Sequence, residues 1–142
     1  MPSCSVTDLS AGFAFPVRVY WEDTDAGGVV YYANHLRFLE RARSEWLRSL
    51  GFEQDVLRDV EGIVFVVRHV TIDYLAPARF NDLLSVSVRP AEIGHASIAL
   101  AQTIERGATR LVSASVKLAC VAAVNFKPAR IPASLLQKLS SP

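Results

Sequence analysis

Glu22-Asp23-Thr24-Asp25-Ala26-Gly27-Gly28-Val29-Val30-Tyr31-Tyr32 is the stretch that decides how this chain is read. Its Asp and Gly residues break whatever precedes them. Before it, Phe15 to Trp21 alternates, with Phe15, Val17, Val19 and Trp21 on one face and Arg18, Tyr20 and Glu22 on the other. A period of two predicts a half-buried strand. Pro16 limits that strand to a start or an edge. After it, Ala33 to Leu50 carries Leu36, Leu39, Ala42, Trp46, Leu47 and Leu50 at helical spacing, with Phe38 adding apolar width. Gly51 stops the helix. The stretch therefore joins a strand to the N-terminus of a long helix.

Beyond the helix, Asp55 to Val60 reads as a short helical turn before Gly62. Ile63 to Leu75 puts Val64, Val66, Val70, Ile72 and Tyr74 on one face, interrupted by Arg68. Leu83 to Arg89 turns Leu84, Val86 and Val88 inward, and Pro90 to Gly94 reads as a turn. His95 to Glu105 presents Ile98, Leu100 and Ile104, and Arg106-Gly107 turns again. Arg110 to Val124 carries Val112, Ala114, Val116, Leu118, Cys120, Ala122 and Val124 on one face. Its other face becomes apolar at Ala119, Val121 and Ala123. Short turns between long strands predict antiparallel pairing in a meander. A C-terminal helix from about Pro132 to Leu139 closes the chain. One strand, one long helix and four further strands indicate an α+β fold. One helix cannot cover both faces of such a sheet, so the apolar second face predicts a partner subunit.

The chain has 142 residues, one domain's worth. At 51% hydrophobic and 20% charged it is not a disordered sequence. Its net charge of +1 argues against a domain held to nucleic acid by phosphate contacts. A few local arginines for one phosphorylated ligand remain compatible with that balance. Cys4 and Cys120 form no CxxC pair or disulfide framework, which fits a reducing compartment. Met1 to Gly12 shows no secretory pattern and no apolar run reaches membrane-spanning length, so the expectation is a cytoplasmic protein. Residues 1–14 are expected to be a flexible tail, with one domain over 15–142.

The chemistry is concentrated in the quoted stretch. A helix N-terminus offers unpaired N–H groups and partial positive charge. Such donors hold an oxyanion or a polarised carbonyl oxygen. Gly27 and Gly28 allow close backbone approach to a ligand, and Asp23 and Asp25 stand just ahead of the donors. A carboxylate beside an oxyanion hole serves acyl transfer as base or nucleophile. Asp in a Gly-containing turn is also an ordinary Asx-turn or cap residue, and spacing alone leaves both readings open.

Other motifs are weaker. No serine sits in a G-x-S-x-G elbow, and no G-x-G-x-x-G or P-loop is present. His35, His69 and His95 lack metal-ligand spacing, so no metal is expected. The arginines of the long helix read as a solvated ion-pair face. Arg68 falls in the apolar register of its strand, which suits either a buried carboxylate partner or a ligand phosphate.

Val17 to Tyr31 resembles the signature of the hotdog-fold acyl-CoA thioesterases. It is most similar to the YbgC-like group of the 4-hydroxybenzoyl-CoA thioesterase family, associated with the Tol–Pal envelope system. The likeness continues through Glu40-Arg41-Ala42-Arg43, Phe65-Val66-Val67-Arg68, Tyr74-Leu75-Ala76-Pro77-Ala78-Arg79 and Lys127-Pro128-Ala129-Arg130-Ile131-Pro132. The resemblance implies a single hotdog domain, with a five- or six-stranded antiparallel sheet wrapped around one long helix. It implies homodimers or homotetramers with active sites at the dimer interface. It places the catalytic Asp at Asp25 and the carbonyl-polarising backbone N–H near Tyr32. Many YbgC-like members carry His at the Tyr32 position, whereas the 4-hydroxybenzoyl-CoA enzymes carry Tyr. For the substrate's coenzyme A it points to Gly27, Gly28, Arg68, His95, Ser97 and Arg130, arginine being suited to bidentate phosphate contact. The implied substrate is an acyl-CoA or acyl-carrier-protein thioester, with water as second substrate and no cofactor. Two rival readings are a hotdog enoyl-thioester hydratase or dehydratase using Asp25 and His35, and a non-catalytic acyl-CoA-binding protein.

Overall fold

A computed structural model describes residues 12–140. The expected tail, with Cys4, lies outside these residues except at its end. There the first strand, β1 (Phe13–Arg18), begins two residues earlier than the alternation suggested. It ends before Trp21. Trp21–Asp23 is a 3-10 turn, and Trp21 is 72% exposed rather than inward, stacked on Phe80.

Helix α1 (Asn34–Ser49) follows, close to the expected span. Its buried stripe is His35, Phe38, Leu39, Ala42, Trp46 and Leu47. Leu36 lies off the stripe and is exposed. The stripe therefore starts one residue earlier, at a histidine. Gln54–Val56 is a single helical turn that passes into a π-turn, Leu57–Glu61, ended by Gly62 in the left-handed region. Four strands come next: β2 (Ile63–Tyr74), β3 (Leu83–Ile93), β4 (Ser97–Arg106) and β5 (Thr109–Ala122). Helix α2 (Ala133–Ser140) ends the described chain.

All neighbouring strands are antiparallel, in the order β1-β3-β4-β5-β2. Only β3, β4 and β5 form a meander. The expected four-strand meander is corrected at β2, which pairs with β5 at the far edge. Alternation fixes which face a residue takes, not which strand lies beside it. β3 also runs through Pro90, with a register irregularity between Pro90 and Glu92, so the turn is confined to Gly94–Ala96. β5 stops at Ala122, leaving Val124 89% exposed rather than inward.

A bulge in β2 resolves the position of Arg68. Val67 pairs with Leu118 and His69 with Lys117, so Arg68 is the extra residue. A bulge shifts the alternation by one. Phe65 and Val67 before it, and Val70, Ile72 and Tyr74 after it, therefore share the inner face with Cys120, Leu118, Val116, Ala114 and Val112. Val64 and Val66 fall on the outer face instead. Arg68 itself is exposed, not paired with a buried carboxylate.

The core lies between α1 and the inner face, where Phe38, Leu39 and Ala42 meet Leu84, Val86, Val88, Ile98, Leu100 and Ile104. Each large aliphatic side chain buried this way contributes about 1.5–3 kcal/mol. The inner face also holds one polar residue, Gln102. α1 packs over β1 and β3, so it covers only one side of the sheet's concavity. The second apolar face is partly closed by the chain itself. Val121 is buried, and Pro128 bridges to it as the chain returns.

Candidate functional site

The stretch between β1 and α1 folds as a small paired loop. Thr24 bridges to Val30, and the Asp25 N–H donates to the Val29 carbonyl oxygen at 2.9 Å. The Gly28 N–H donates to the Asp25 carbonyl oxygen at 3.1 Å. Gly28, with φ of 83°, takes a left-handed conformation that suits glycine. The tip of the loop is thus Asp25 to Gly28.

The two carboxylates differ in environment. Asp23 is buried, and its Oδ2 accepts the Tyr20 N–H at 2.8 Å. Its backbone carbonyl oxygen accepts the Tyr31 N–H and the Asn34 side-chain amide, both at 3.0 Å. Asp23 is therefore the structural carboxylate. Asp25 is exposed, and its Oδ1 accepts the Gly27 N–H at 2.8 Å. Its Oδ2 has no partner among the described residues.

The backbone at the helix start leaves two donors open. Tyr31 O accepts the Asn34 N–H at 2.8 Å, and Tyr32 O accepts the His35 N–H at 3.3 Å. Among the described residues no acceptor faces the N–H of Tyr32 or of Ala33. These are the orphan donors every helix N-terminus carries. The role assigned to Tyr32 is thus available to its backbone, while its side chain is exposed.

A concavity of about 300 Å³ adjoins these donors. It is lined by Val30, Tyr32, His35, Tyr74, Leu75, Ala76 and Pro77. His35 is 4% exposed, and its Nδ1 lies 3.0 Å from Tyr32 O. A carbonyl oxygen can only accept, so this contact assigns the proton to Nδ1 and leaves Nε2 a bare acceptor. Nε2 is buried and has no hydrogen-bond partner among the described residues. Burial pushes the imidazole pKa down, opposed in part by the bond to Tyr32.

The loop is braced by the segment after β2. Val30 N–H donates to Ala78 O at 2.8 Å, and Val29 bridges to Arg79. That segment is fixed in turn by Asp82, whose Oδ2 accepts the Arg79 N–H and the Arg106 guanidinium, both at 2.9 Å. Burial alone would push the Asp82 carboxyl up. The Arg79 N–H and Arg106 outweigh it and hold the carboxyl below the usual carboxylate range.

The remaining candidates gather elsewhere. Arg130 Nη2 stands 3.3 Å from His95 Nδ1, and the Ile131 N–H donates to His95 O at 2.8 Å. The Gly94 N–H donates to Ser97 O at 2.8 Å. His95 in the turn, Ser97 at the start of β4 and Arg130 on the returning segment therefore gather at one place. Arg68 stands apart on β2, at the level where Leu118 pairs with both Val67 and Ile98. Ser97 pairs with Ala119 and Tyr74, which reaches Tyr32 O, with Val112, so the turn and Tyr74 stand near opposite ends of β5, seven residues or about 23 Å apart along the strand at ~3.3 Å per residue. The structure adds geometry for His35 at the helix start and for Tyr74 at the end of β2; the sequence offered His35 only as the partner of Asp25 in the hydratase reading and Tyr74 only on the apolar face of its strand. The helical spacing of His35 with Phe38, Leu39 and Ala42 was the available signal for its burial. No group of His, Cys, Asp and Glu among the described residues is placed to hold a metal ion.

Comparisons with known proteins bear on this arrangement. Residues 27–113 match the family model described as the thioesterase superfamily. The chain is 48% identical over 124 residues to the acyl-CoA thioesterase YbgC of Haemophilus influenzae, covering 87% of this chain and 91% of that protein. It is 42% identical over 125 residues to the acyl-CoA thioester hydrolase YbgC of Escherichia coli O6:H1, covering 87% and 92%. Among solved structures, a probable thioesterase from Bartonella henselae superposes with a TM-score of 0.81 at 41% identity, covering 84% of this chain and 98% of that one.

Proposed function

This chain belongs to the thioesterase superfamily, and on that premise we propose that it is an acyl-CoA thioesterase whose reacting carboxylate is Asp25. The observation that carries the reading is an exposed carboxylate with one free oxygen, on a loop that ends in two unpaired N–H groups at a helix start. A thioester carbonyl oxygen accepts from the Tyr32 N–H as negative charge develops on it. Asp25 then either attacks the carbonyl carbon, expelling the thiolate and forming an anhydride that water hydrolyses, or takes a proton from the attacking water. Coenzyme A leaves as the thiol, and the acyl group leaves as the free acid. Every step uses groups of the chain and water.

The distance between Tyr74 and the cluster of His95, Ser97 and Arg130 supports a two-copy site. Among the described residues β2 has a neighbour on one side only, β5, and its other edge is unpaired. A second copy pairing antiparallel along that edge brings its Ile63 end beside Tyr74 of the first. The cluster of His95, Ser97 and Arg130 then approaches the Asp25 loop of the other subunit. In this reading those residues receive the coenzyme A phosphates, and the homodimer is the active unit. A peripheral link to the Tol–Pal envelope system rests on the resemblance to the YbgC group alone, and a cytoplasmic location on the cysteine usage of the sequence. No described helix is long and apolar enough to cross a membrane.

The test is Asp25→Asn beside the unaltered protein, with thiol release followed across acyl-CoA esters of short, long and aromatic acyl groups. The substitution keeps the shape and removes the base, so turnover falls by about 10²–10⁴-fold. A folded variant with undiminished turnover ends the proposal.

A further inference from the structure

We propose that Tyr74 and His35 are positioning residues that aim and polarise the Ala33 N–H, which we assign as a second donor to the thioester carbonyl oxygen beside the Tyr32 N–H, an inference that rests on the thioesterase reading above. Tyr32 O accepts the Tyr74 hydroxyl at 3.2 Å and the His35 ring N–H at 3.0 Å. It also accepts the His35 backbone N–H at 3.3 Å. One carbonyl is thus gripped from β2 and from α1.

The consequence follows from peptide geometry. The described peptide bonds are all trans. A trans peptide is planar, with its C=O and the next N–H pointing in opposite directions. Whatever fixes Tyr32 C=O therefore fixes the Ala33 N–H. Tyr31 C=O is held by the Asn34 N–H in the same way, which fixes the Tyr32 N–H. Both open donors belong to peptides whose carbonyl ends are tied down. Hydrogen bonds accepted at a carbonyl also polarise the peptide and strengthen donation from its N–H. Three donors at Tyr32 O thus make the Ala33 N–H the better polarised of the pair.

The partners suit this task. Burial and the neighbouring Tyr32 push the Tyr74 phenol up, so it stays a donor. The His35 and Tyr74 rings meet edge to face with centroids 5.3 Å apart, so each holds the other in place. The unpartnered Nε2 of His35 has a reason here. The ring is turned so that Nδ1 reaches Tyr32 O, at the cost of leaving the other nitrogen without a bond.

The test uses Tyr74→Phe, His35→Asn and His35→Leu in the full chain, with Asp25→Asn as reference. Tyr74 is partly exposed and its ring is retained, so Tyr74→Phe folds. It loses about 10-fold in kcat at unchanged KM, the mark of an interaction felt in the transition state. His35→Leu loses a similar factor. His35→Asn places an amide N–H where the ring N–H was and keeps kcat near that of the unaltered protein. The Ala33 amide nitrogen resonance shifts in Tyr74→Phe, while amides far from the helix start do not. Tyr74→Phe with full kcat and an inactive Asp25→Asn overturns the positioning role and leaves the thioesterase reading intact. Full turnover in Asp25→Asn overturns the role of Asp25, and no thiol release from any ester by the unaltered protein overturns the thioesterase reading, whereas the Ala33 shift tests the hydrogen bond whatever the chemistry is.

Discussion

Arg43 Nη1 donates to Gln102 Oε1 at 3.0 Å, so the helix is pinned to the inner face of β4 through a polar contact. The Nε2 of the same amide donates to Leu39 O at 3.1 Å and Ser87 O at 3.2 Å. Gln102 thereby uses both donors and one acceptor inside the core. Burial pushes the Arg43 guanidinium down, with Glu40 opposing. Gln102→Leu removes the acceptor and leaves a half-buried cation. It is expected to cost about 2–3 kcal/mol of stability. Urea unfolding reads this as a lower midpoint at unchanged slope. An unmoved midpoint would show that Arg43 does not depend on Gln102.

Gly27 and Gly28 respond differently to alanine. At Gly28 a Cβ meets nothing within 4 Å, but φ is 83°. Gly28→Ala therefore costs about 1–2 kcal/mol through the backbone. At Gly27 a Cβ would stand 3.2 Å from Asp25 Oδ1. Gly27→Ala leaves stability within about 0.5 kcal/mol. It turns the carboxylate and lowers kcat about 10-fold. Melting curves and thiol-release rates on the two variants separate the effects, and the opposite pattern contradicts this account.

His35 predicts acid sensitivity. Burial lowers its pKa in the folded state, so the unfolded chain binds the proton more readily. The stability it contributes is present above the unfolded value of about 6.5 and is lost as pH falls through the folded pKa. Unfolding free energy is thus expected to drop between pH 7.5 and pH 5 more steeply than in His35→Asn. Parallel slopes for the two proteins would exclude His35 as the cause.

Val67, half exposed on the unpaired edge strand β2, tests the two-copy site. A lysine there opposes edge pairing. Val67→Lys is expected to sediment as a monomer and to lose turnover together with assembly. A variant still assembled and active would place the subunit contact elsewhere.

Much of this fold was legible in the sequence. Leu84, Val86 and Val88 alternate and are all buried, and the long helix begins and ends within a residue of its expected bounds. The register of Ile98, Leu100 and Ile104 already pointed Gln102 inward, because a period of two admits no exception for a polar side chain. Other features were hidden for physical reasons. Arg68 looked like a break in an apolar stripe, since a bulge is invisible until the partner strand is known. Trp21 continued the alternation of β1, although the Asp23 side chain had already drawn the chain into a turn. Asp25 was identifiable by its motif. The grip of Tyr74 and His35 on Tyr32 was not, because it joins residues 42 apart in sequence that only the packing of β2 against the helix start brings together.

The place of β2 at the far edge also sets an order of events in time. Ile63–Tyr74 is synthesised well before Thr109–Ala122 exists, and at about 5–20 residues per second the gap lasts several seconds. During that interval an apolar strand has no ladder to join. Closing the intervening chain is then an entropic cost met late, after β3, β4 and β5 have formed their local hairpins. The nascent chain is therefore most exposed to aggregation before synthesis ends. Released chains truncated before Thr109 should show no protection of the β2 amides from hydrogen exchange.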